Sequence, residues 1–243
     1  MKNPRIYQSA ELVLHQHLTL DDNGSRHIGK VLRMLAGDSL RVFNSTGGEF
    51  QATITEVSKK QVQVSLDSFT EESNASPLRI HLAQVMSKGD RMDYAIQKAV
   101  ELGVHSITPL TSIRCEVKLN PQRMEKRTLQ WQQQIISASE QCGLNIVPAI
   151  LPCASLASFC EHAKHEKKII LHPGPHKSQD YFCQAAPMDV CVLVGPEGGL
   201  EEQEIEIAKQ HGFDCLTLGP RVFRTETAPV AMLTLLQHYW GDL

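Results

Sequence analysis

The sequence lacks a long hydrophobic run and a strong net charge, and each absence excludes a class of protein. No stretch approaches the roughly 20 consecutive apolar residues that a membrane-spanning helix needs, and the first residues lack the apolar run of a secretion signal. We therefore expect a cytoplasmic protein that has no membrane association. The net charge of −3 excludes a histone-like protein that grips nucleic acid by bulk charge, so any RNA contact must come from local patches.

The sequence also lacks a Cys-x-x-Cys pair, although it contains seven cysteines. An odd number of scattered cysteines is what a reducing compartment permits. Cys160, His162 and His165 lie close together but have no partner pair at zinc-ligand spacing, so we expect no metal site.

The first third of the chain alternates apolar and polar residues, which predicts short antiparallel strands. The apolar positions are Leu40, Val42, Phe50, Ala52, Ile54, Val62, Val64 and Leu66. Turn residues at 46–48 and 59–60 connect these runs and favour a small β-barrel or meander. The acidic segment 70–77 ends in proline and indicates a boundary, so we predict domains at 1–73 and 74–243.

Beyond residue 78, buried-strand runs alternate with segments of helical spacing, which predicts an α/β domain with a mainly parallel sheet. The runs at 168–171, 190–194 and 215–218 are strands of this kind. The last helix, 230–240, is apolar on all sides, so we expect it in the core or in a subunit interface.

Three strand ends are predicted to form one pocket, because ligands of open α/β sheets bind beyond the carboxyl ends of strands. These ends are 171–173, 195–199 and 218–221, and none of them carries the dinucleotide or triphosphate fingerprint. Glu197, Glu201 and Glu202 disfavour a phosphate at the helix start that follows. A positively charged ligand such as S-adenosylmethionine fits an acidic glycine loop better. Thr225 or Thr227 is expected to cap the last helix.

Several motifs in this order resemble those of the RsmE family, the 16S ribosomal RNA uridine-N3 methyltransferases. The motifs are Gly195-Pro196-Glu197-Gly198-Gly199, the run from Leu218 to Ala228, His27 to Met34, Gln97 to Val104, Arg114-Cys115 and Glu140-Gln141. The resemblance implies a PUA-like RNA-binding β-barrel at 1–73 and, at 74–243, a SPOUT-class methyltransferase domain with a C-terminal trefoil knot. It further implies S-adenosylmethionine as methyl donor, a homodimer, and 16S ribosomal RNA as substrate, in an assembled small subunit. Leu144 departs from the pattern, because relatives often carry arginine there.

The site residues follow from the loops and the resemblance together. The donor-binding set is Leu171, His172, Gly195, Glu197, Gly198, Gly199, Leu218, Gly219, Val222 and Ala228. Because negative charge develops on the uridine oxygens, Arg221, Arg224 or Arg114 is expected to stabilise it. Glu140 or Glu226 is expected to accept the N3 proton, if burial raises its pKa. The predicted RNA track is Arg5, Arg26, Lys30, Arg33, Lys88 and Arg91.

Two other functions compete with this interpretation. The first is a non-catalytic RNA-binding dimer that uses the barrel, and the second is a SPOUT methyltransferase that acts on a different RNA nucleotide. The missing dinucleotide fingerprint argues against an NAD-dependent oxidoreductase.

Overall fold

A computed structural model describes residues 3–174 and 181–243 of the chain, which divides into two compact units. The first unit contains the chain up to Ala75 together with Ile136–Val147. The second contains Ser76–Ile135 and Pro148–Leu243. The sequence carries no sign that a later segment, Ile136–Val147, joins the N-terminal unit.

The first unit is built on a five-stranded sheet with two short helical segments. The elements are β1 (Arg5–Tyr7), β2 (His17–Thr19), α1 (Asp22–Arg26), a π-helical turn (His27–Val31), β3 (Ser39–Phe43), β4 (Glu49–Val57) and β5 (Val62–Thr70). The strand order is β1-β3-β4-β5-β2, with β1 parallel to β3 and the remaining pairs antiparallel.

Alternation along β3, β4 and β5 builds the core of this unit. The eight apolar positions that the sequence predicts to point inward are all buried. Ile6 of β1, Leu20 just after β2 and Ile28 of the π-helical turn complete the same hydrophobic cluster. The predicted strands are therefore confirmed, because period-two burial turns one face of each strand toward the core.

Arg5, which the sequence places in the RNA track, is instead a buried structural residue. Its Nε donates to Glu49 Oε2 at 2.9 Å, and both side chains are only 10% exposed. Its other nitrogens donate to the carbonyl of Ser139 and to Asn145, and its guanidinium lies 4.6 Å from the Phe43 ring centre. The prediction that Arg5 contacts RNA conflicts with this geometry, because each of its three nitrogens already donates inside the unit and its side chain is only 10% exposed.

The second unit is a seven-stranded sheet with helices packed against it. The elements are β6 (Arg79–Val85), α2 (Arg91–Glu101), β7 (Ser106–Thr111), α3 (Pro121–Cys142), β8 (Ala149–Ile150), β9 (Ala154–Ser155), α4 (Leu156–His162), β10 (Lys167–Leu171), a 3-10 turn (Tyr181–Cys183), β11 (Asp189–Val194), α5 (Glu202–Gln210), β12 (Asp214–Leu216) and α6 (Thr227–Trp240). The last part of α3, from Ile136, belongs to the first unit.

All strand pairs of this sheet are parallel, in the order β12-β10-β11-β6-β7-β8, with β9 also beside β7. The strands β6 and β11 are almost fully buried, as parallel strands covered on both faces are. The predicted α/β fold with a parallel sheet is confirmed.

The last helix, α6, uses its apolar side chains mainly inside its own chain. Met232, Leu233 and Leu236 are fully buried, whereas Tyr239 is 54% exposed. Gln237 of the same helix is also buried, and its Nε2 donates to the carbonyl of Leu102. Packing in the core therefore accounts for most of the apolar character that the sequence shows here.

Residues 3–174 and 181–243 contain neither a membrane-spanning helix nor a cluster of metal ligands. None of the helices in these ranges is both long and apolar enough to cross a membrane. Within the same ranges, no three His, Cys, Asp or Glu side chains are grouped as ligands of a metal ion.

Candidate functional site

Three loops of the second unit leave the sheet at one edge, because β10, β11 and β12 are adjacent and parallel. Leu171 at the end of β10 is in register with Val194 of β11 and with Leu216 of β12. The loops that follow these residues line a cavity of about 730 Å³, which we call the three-loop cavity. Its volume lies in the range that accommodates a cofactor-sized ligand.

The ten residues predicted to bind a donor all line the three-loop cavity. They are Leu171, His172, Gly195, Glu197, Gly198, Gly199, Leu218, Gly219, Val222 and Ala228. The predicted pocket at the three strand ends therefore corresponds to one cavity.

Glycine is required at two positions of the loop after β11. Gly199 has a φ of +70°, a conformation that side chains rarely adopt. A Cβ added to Gly195 would lie 2.9 Å from Cγ of Leu200, which is closer than packed carbons tolerate. Both glycines line the three-loop cavity, so at these two points the loop after β11 meets the cavity without a side chain.

Hydroxyl groups tie the three loops to one another. Thr225 Oγ1 donates to the carbonyl of Gly195 at 2.7 Å and accepts from Gln84 Nε2 at 3.1 Å. Thr217 Oγ1 donates to the carbonyl of His172 at 2.8 Å. Neither Thr225 nor Thr227 caps α6, because the N-cap residue is Glu226 and no side chain bonds there. That expectation is wrong because the hydroxyl of Thr225 is committed to Gly195.

The acidic side chains of the loop after β11 are balanced by arginines from elsewhere in the unit. Arg91 Nη1 donates to Glu197 Oε1 at 2.9 Å, and Arg114 Nε donates to Glu201 Oε1 at 2.8 Å. The loop therefore offers less free negative charge than its sequence indicates.

Arg114 does not line the three-loop cavity, although the sequence places it among the candidate catalytic cations. Besides its pair with Glu201, its Nη1 donates to the carbonyl of Gly198 at 3.0 Å. A guanidinium used in this way supports the loop from outside. The geometry fits a positioning residue and does not fit direct contact with a reacting base.

Arg221 and Arg224 both line the three-loop cavity and are exposed. Within residues 3–174 and 181–243, neither guanidinium forms an ion pair. Because these two cations have no carboxylate partner among the residues that the structure describes, they are available to contact a negatively charged or electron-rich group in the cavity.

The two candidate proton acceptors lie in different units. Glu226 lines the three-loop cavity, and its Oε1 lies 3.9 Å from Arg91 Nε. Its Oε2 is buried and has no hydrogen-bond partner in the part of the chain that the structure describes. Glu140 lies in the first unit, where it accepts from the backbone N–H of Tyr7 at 2.9 Å. Burial raises the pKa of Glu140.

The predicted RNA track divides between the units. Arg26, Lys30 and Arg33 are exposed on the helical segment of the first unit and its C-terminal end. In the second unit, Lys88 Nζ pairs with Glu116 at 2.5 Å, and Arg91 pairs with Glu197. Sequence reasoning assigned Arg91 to the track and missed its place in the cavity wall. Arg91 follows β6, and β6 lies beside β11 in the sheet. This neighbourhood cannot be read from the sequence.

Comparisons with known proteins identify the family. A model described as RNA methyltransferase domain matches residues 74–237, and one described as RNA methyltransferase PUA domain matches residues 20–67. The ribosomal RNA small subunit methyltransferase E of Buchnera aphidicola from Acyrthosiphon pisum is 37% identical, over 99% of this chain and 95% of its own.

Two solved structures are similar over nearly their whole length. One is a Legionella pneumophila protein with bound SAM, at 45% identity, a TM-score of 0.97 and full coverage of both chains. The other is a ribosomal RNA small subunit methyltransferase E from Neisseria gonorrhoeae bound to S-adenosyl methionine, at 38% identity, a TM-score of 0.91 and 99% coverage of each chain. These matches confirm what the motifs indicate, and this chain belongs to the ribosomal RNA small subunit methyltransferase E family.

Proposed function

We propose that this protein transfers a methyl group from S-adenosylmethionine to N3 of one uridine in 16S ribosomal RNA. The observation that carries the proposal is the three-loop cavity, which gathers all ten predicted donor-binding residues at one edge of the sheet. The Neisseria and Legionella relatives, which share the fold of this chain, were solved with the same methyl donor.

The residues of the cavity fit such a donor. Its volume of about 730 Å³ admits a nucleoside-sized ligand, and Gly195 and Gly199 of the loop after β11 border it without side chains. Because Glu197 and Glu201 are balanced by arginines, we assign recognition mainly to backbone groups and shape. When bound, the donor supplies a methyl group on a sulfonium, which is already activated for transfer.

The chain's own residues position the base and handle charge. Uridine N3 carries a proton and is a poor nucleophile until that proton leaves. We assign Glu226 as the acceptor because it lines the cavity, whereas Glu140 is bonded to Tyr7 in the first unit. Arg221 and Arg224 stabilise the negative charge that develops on the uridine oxygens, an effect worth about 3 kcal/mol for a single well-placed donor.

The RNA track that we retain consists of Arg26, Lys30 and Arg33 in the first unit, the predicted RNA-binding domain at 1–73. All three side chains are exposed, as contacts to phosphates require. Lys88 and Arg91 are not retained as free cations because each is paired with a glutamate.

Finer features of the family belong to the same proposal. We assign residues 74–243 to the SPOUT class with a C-terminal trefoil knot, and we assign the chain to a cytoplasmic homodimer that acts on the assembled small subunit. The return of the chain after β12 to pack α6 against α2 and β11 supports the knotted arrangement. The exposed Tyr239 on α6 supports a subunit interface, which light scattering of the purified protein tests.

Mass-spectrometric mapping of methylated nucleosides in ribosomal RNA tests the function. RNA from cells that lack this protein is expected to lose one N3-methyluridine, and the wild-type gene is expected to restore it. An unchanged set of methylated nucleosides would favour a non-catalytic RNA-binding protein. Loss of a different methylated nucleoside would point to another target of the same class.

A further inference from the structure

A second cavity lies beside the three-loop cavity in the second unit. It has a volume of about 800 Å³ and is open to solvent, and we call it the Tyr94 cavity. Lys88, Glu116 and Tyr94 lie in its lining. Two residues, Arg91 and Glu226, line both cavities and therefore form the wall that they share.

We propose that the Tyr94 cavity holds the target nucleoside, with the edge of its base against Arg91 and Glu226. The inference rests on the proposed function and extends it, because it names where the base binds and which residues read it. A shared wall is what a group transfer needs, since donor and acceptor atoms must approach within a few ångströms, about 3 to 3.5 Å.

Arg91 and Glu226 together match the hydrogen-bonding edge of uracil. This edge carries an N3–H donor flanked by two carbonyl acceptors. Glu226 Oε1 can accept from N3–H, and Arg91, whose Nε lies 3.9 Å from that oxygen, can donate to an adjacent carbonyl. Cytosine has an unprotonated N3 at this edge, so it would set an acceptor against the Glu226 carboxylate oxygen. The pair therefore favours uracil over cytosine.

The position of Arg91 is fixed before a base arrives. Its Nη1 donates to Glu197 Oε1 at 2.9 Å, and the same carboxylate oxygen accepts from the backbone N–H of Lys88 at 3.2 Å. A guanidinium held in this way loses little conformational freedom when it binds a second partner.

Tyr94 provides a surface for the base to stack on. Its side chain is 46% exposed on α2, three residues beyond Arg91, so both lie on the same face of the helix. Lys98 Nζ lies 5.9 Å from the ring centre. Stacking on an aromatic ring is the usual way in which proteins hold an unpaired RNA base.

The atoms and charges of the methyl transfer balance without any reactant besides the methyl donor and the base. The bond from N3 to the methyl carbon forms as the bond from that carbon to the donor's sulfur breaks. The N3 proton passes to the carboxylate of Glu226. Arg91 donates to one of the two uracil carbonyls, and the second carbonyl is left to Arg221 and Arg224 of the three-loop cavity. The demethylated donor leaves as a neutral thioether.

The test uses the full-length protein, radiolabelled S-adenosylmethionine and small ribosomal subunits from cells that lack the protein. We expect Glu226→Gln to lower kcat at least 100-fold, the lower range for loss of a general base, while donor affinity by calorimetry stays within twofold. Subunits from cells grown with 5-fluorouracil contain 5-fluorouridine, whose N3 is more acidic and needs less help from a proton acceptor. On these subunits the loss of kcat caused by Glu226→Gln should therefore be at least tenfold smaller. Glu101→Gln, on the far end of α2 and paired with Lys98, is the matched control and should behave as wild type.

Tyr94 gives a second, independent readout. Tyr94→Ala should raise the KM for subunits about tenfold without changing donor affinity, and Tyr94→Phe should restore it because the ring is kept. Suppose that the wild type makes N3-methyluridine. The inference then fails if Glu226→Gln loses the same factor in kcat on normal and on fluorinated subunits, or if Tyr94→Ala leaves KM unchanged. If the wild type makes no N3-methyluridine at all, the proposed function fails first.

Discussion

Arg5 shows how one residue in the first unit takes on several structural tasks. Its guanidinium joins β1 to Glu49 on β4 and to Ser139 and Asn145 in the segment that joins this unit late in the chain. A second arginine, Arg41, also pairs with Glu49, at 2.5 Å. Removing Arg5 would leave a buried carboxylate and a buried carbonyl with fewer donors, which costs more than the pair itself contributes.

We expect Arg5→Met to lower the free energy of unfolding by about 3 kcal/mol, the size seen when one partner of a buried ion pair is removed. Urea denaturation measures this loss. Arg26→Met is the control because its side chain is exposed, and its change should stay within about 0.5 kcal/mol. Equal stability of Arg5→Met and the wild type would contradict the structural role.

At the scale of elements, Thr225 joins the loop before α6 to the loop after β11 and to the end of β6. Its hydroxyl donates to Gly195 and accepts from Gln84, and it is 6% exposed. The two loops that hold most of the predicted donor-binding residues therefore depend on one side chain for their spacing.

We expect Thr225→Val to weaken S-adenosylmethionine binding about tenfold, because loss of the hydrogen bond to Gly195 that joins the two loops costs about 1.4 kcal/mol in loop positioning. Thr225→Ser keeps the hydroxyl and should bind as the wild type does. Isothermal titration calorimetry measures both affinities. If Thr225→Val binds the donor as tightly as Thr225→Ser, the loops do not depend on this hydroxyl.

A second element-scale feature is a histidine buried within the parallel sheet. His81 on β6 is 4% exposed and hydrogen-bonded to Ser106 at 2.7 Å and Thr108 at 3.0 Å on β7. Its ring stacks on His165, which pairs with Asp189 at 2.9 Å. Burial, with a smaller effect from His165, lowers the pKa of His81 from 6.5 to about 3.

The unfolded chain binds a proton at His81 below pH 6.5 and the folded chain does not, so stability falls as the pH drops from 6.5 toward 3. From pH 7.5 to 5 the loss attributable to His81 is about 2 kcal/mol. Urea denaturation at pH 7.5 and pH 5 measures it. His81→Gln should show a pH dependence smaller by that amount, and equal pH dependences in the two proteins would contradict the assignment.

At the scale of the whole molecule, RNA binding must come from a local patch because the chain has a net charge of −3. We expect Arg26→Ala combined with Arg33→Ala to weaken RNA binding and to flatten the slope of log affinity against log salt by about 1.5, the effect of two lost phosphate contacts. Fluorescence anisotropy with a ribosomal RNA fragment measures the slope.

The matched control removes two exposed cations elsewhere, Arg123 and Lys126 on α3, and so makes the same change in net charge. It should leave the slope near the wild-type value. If the slope is unchanged in the Arg26 and Arg33 variant, these residues do not bind RNA phosphates. The same conclusion follows if the control variant changes the slope equally.

Features of the fold and the site that depend on residues close together in the sequence can be predicted from it, and features that depend on distant residues cannot. Period-two burial in β3 to β5 and glycine loops after β11 and β12 are local patterns, so the strands and the ten cavity residues are readable from the chain. The roles of Arg5 and Arg91 depend on contacts with residues far away in sequence, Glu49 and Glu197, which only the fold brings near. The capping error at Thr225 has the same origin, since Gly195 lies thirty residues earlier.

If the three loops jointly hold the methyl donor beside the base, a crystal of the protein soaked with S-adenosylmethionine will show where the donor lies. We expect electron density for the donor in the three-loop cavity, bounded by Gly195 and Gly199 on one side and Leu218 and Ala228 on the other, with its methyl group directed toward Glu226. Density for the donor at any other place on the chain, with this cavity empty, would contradict it.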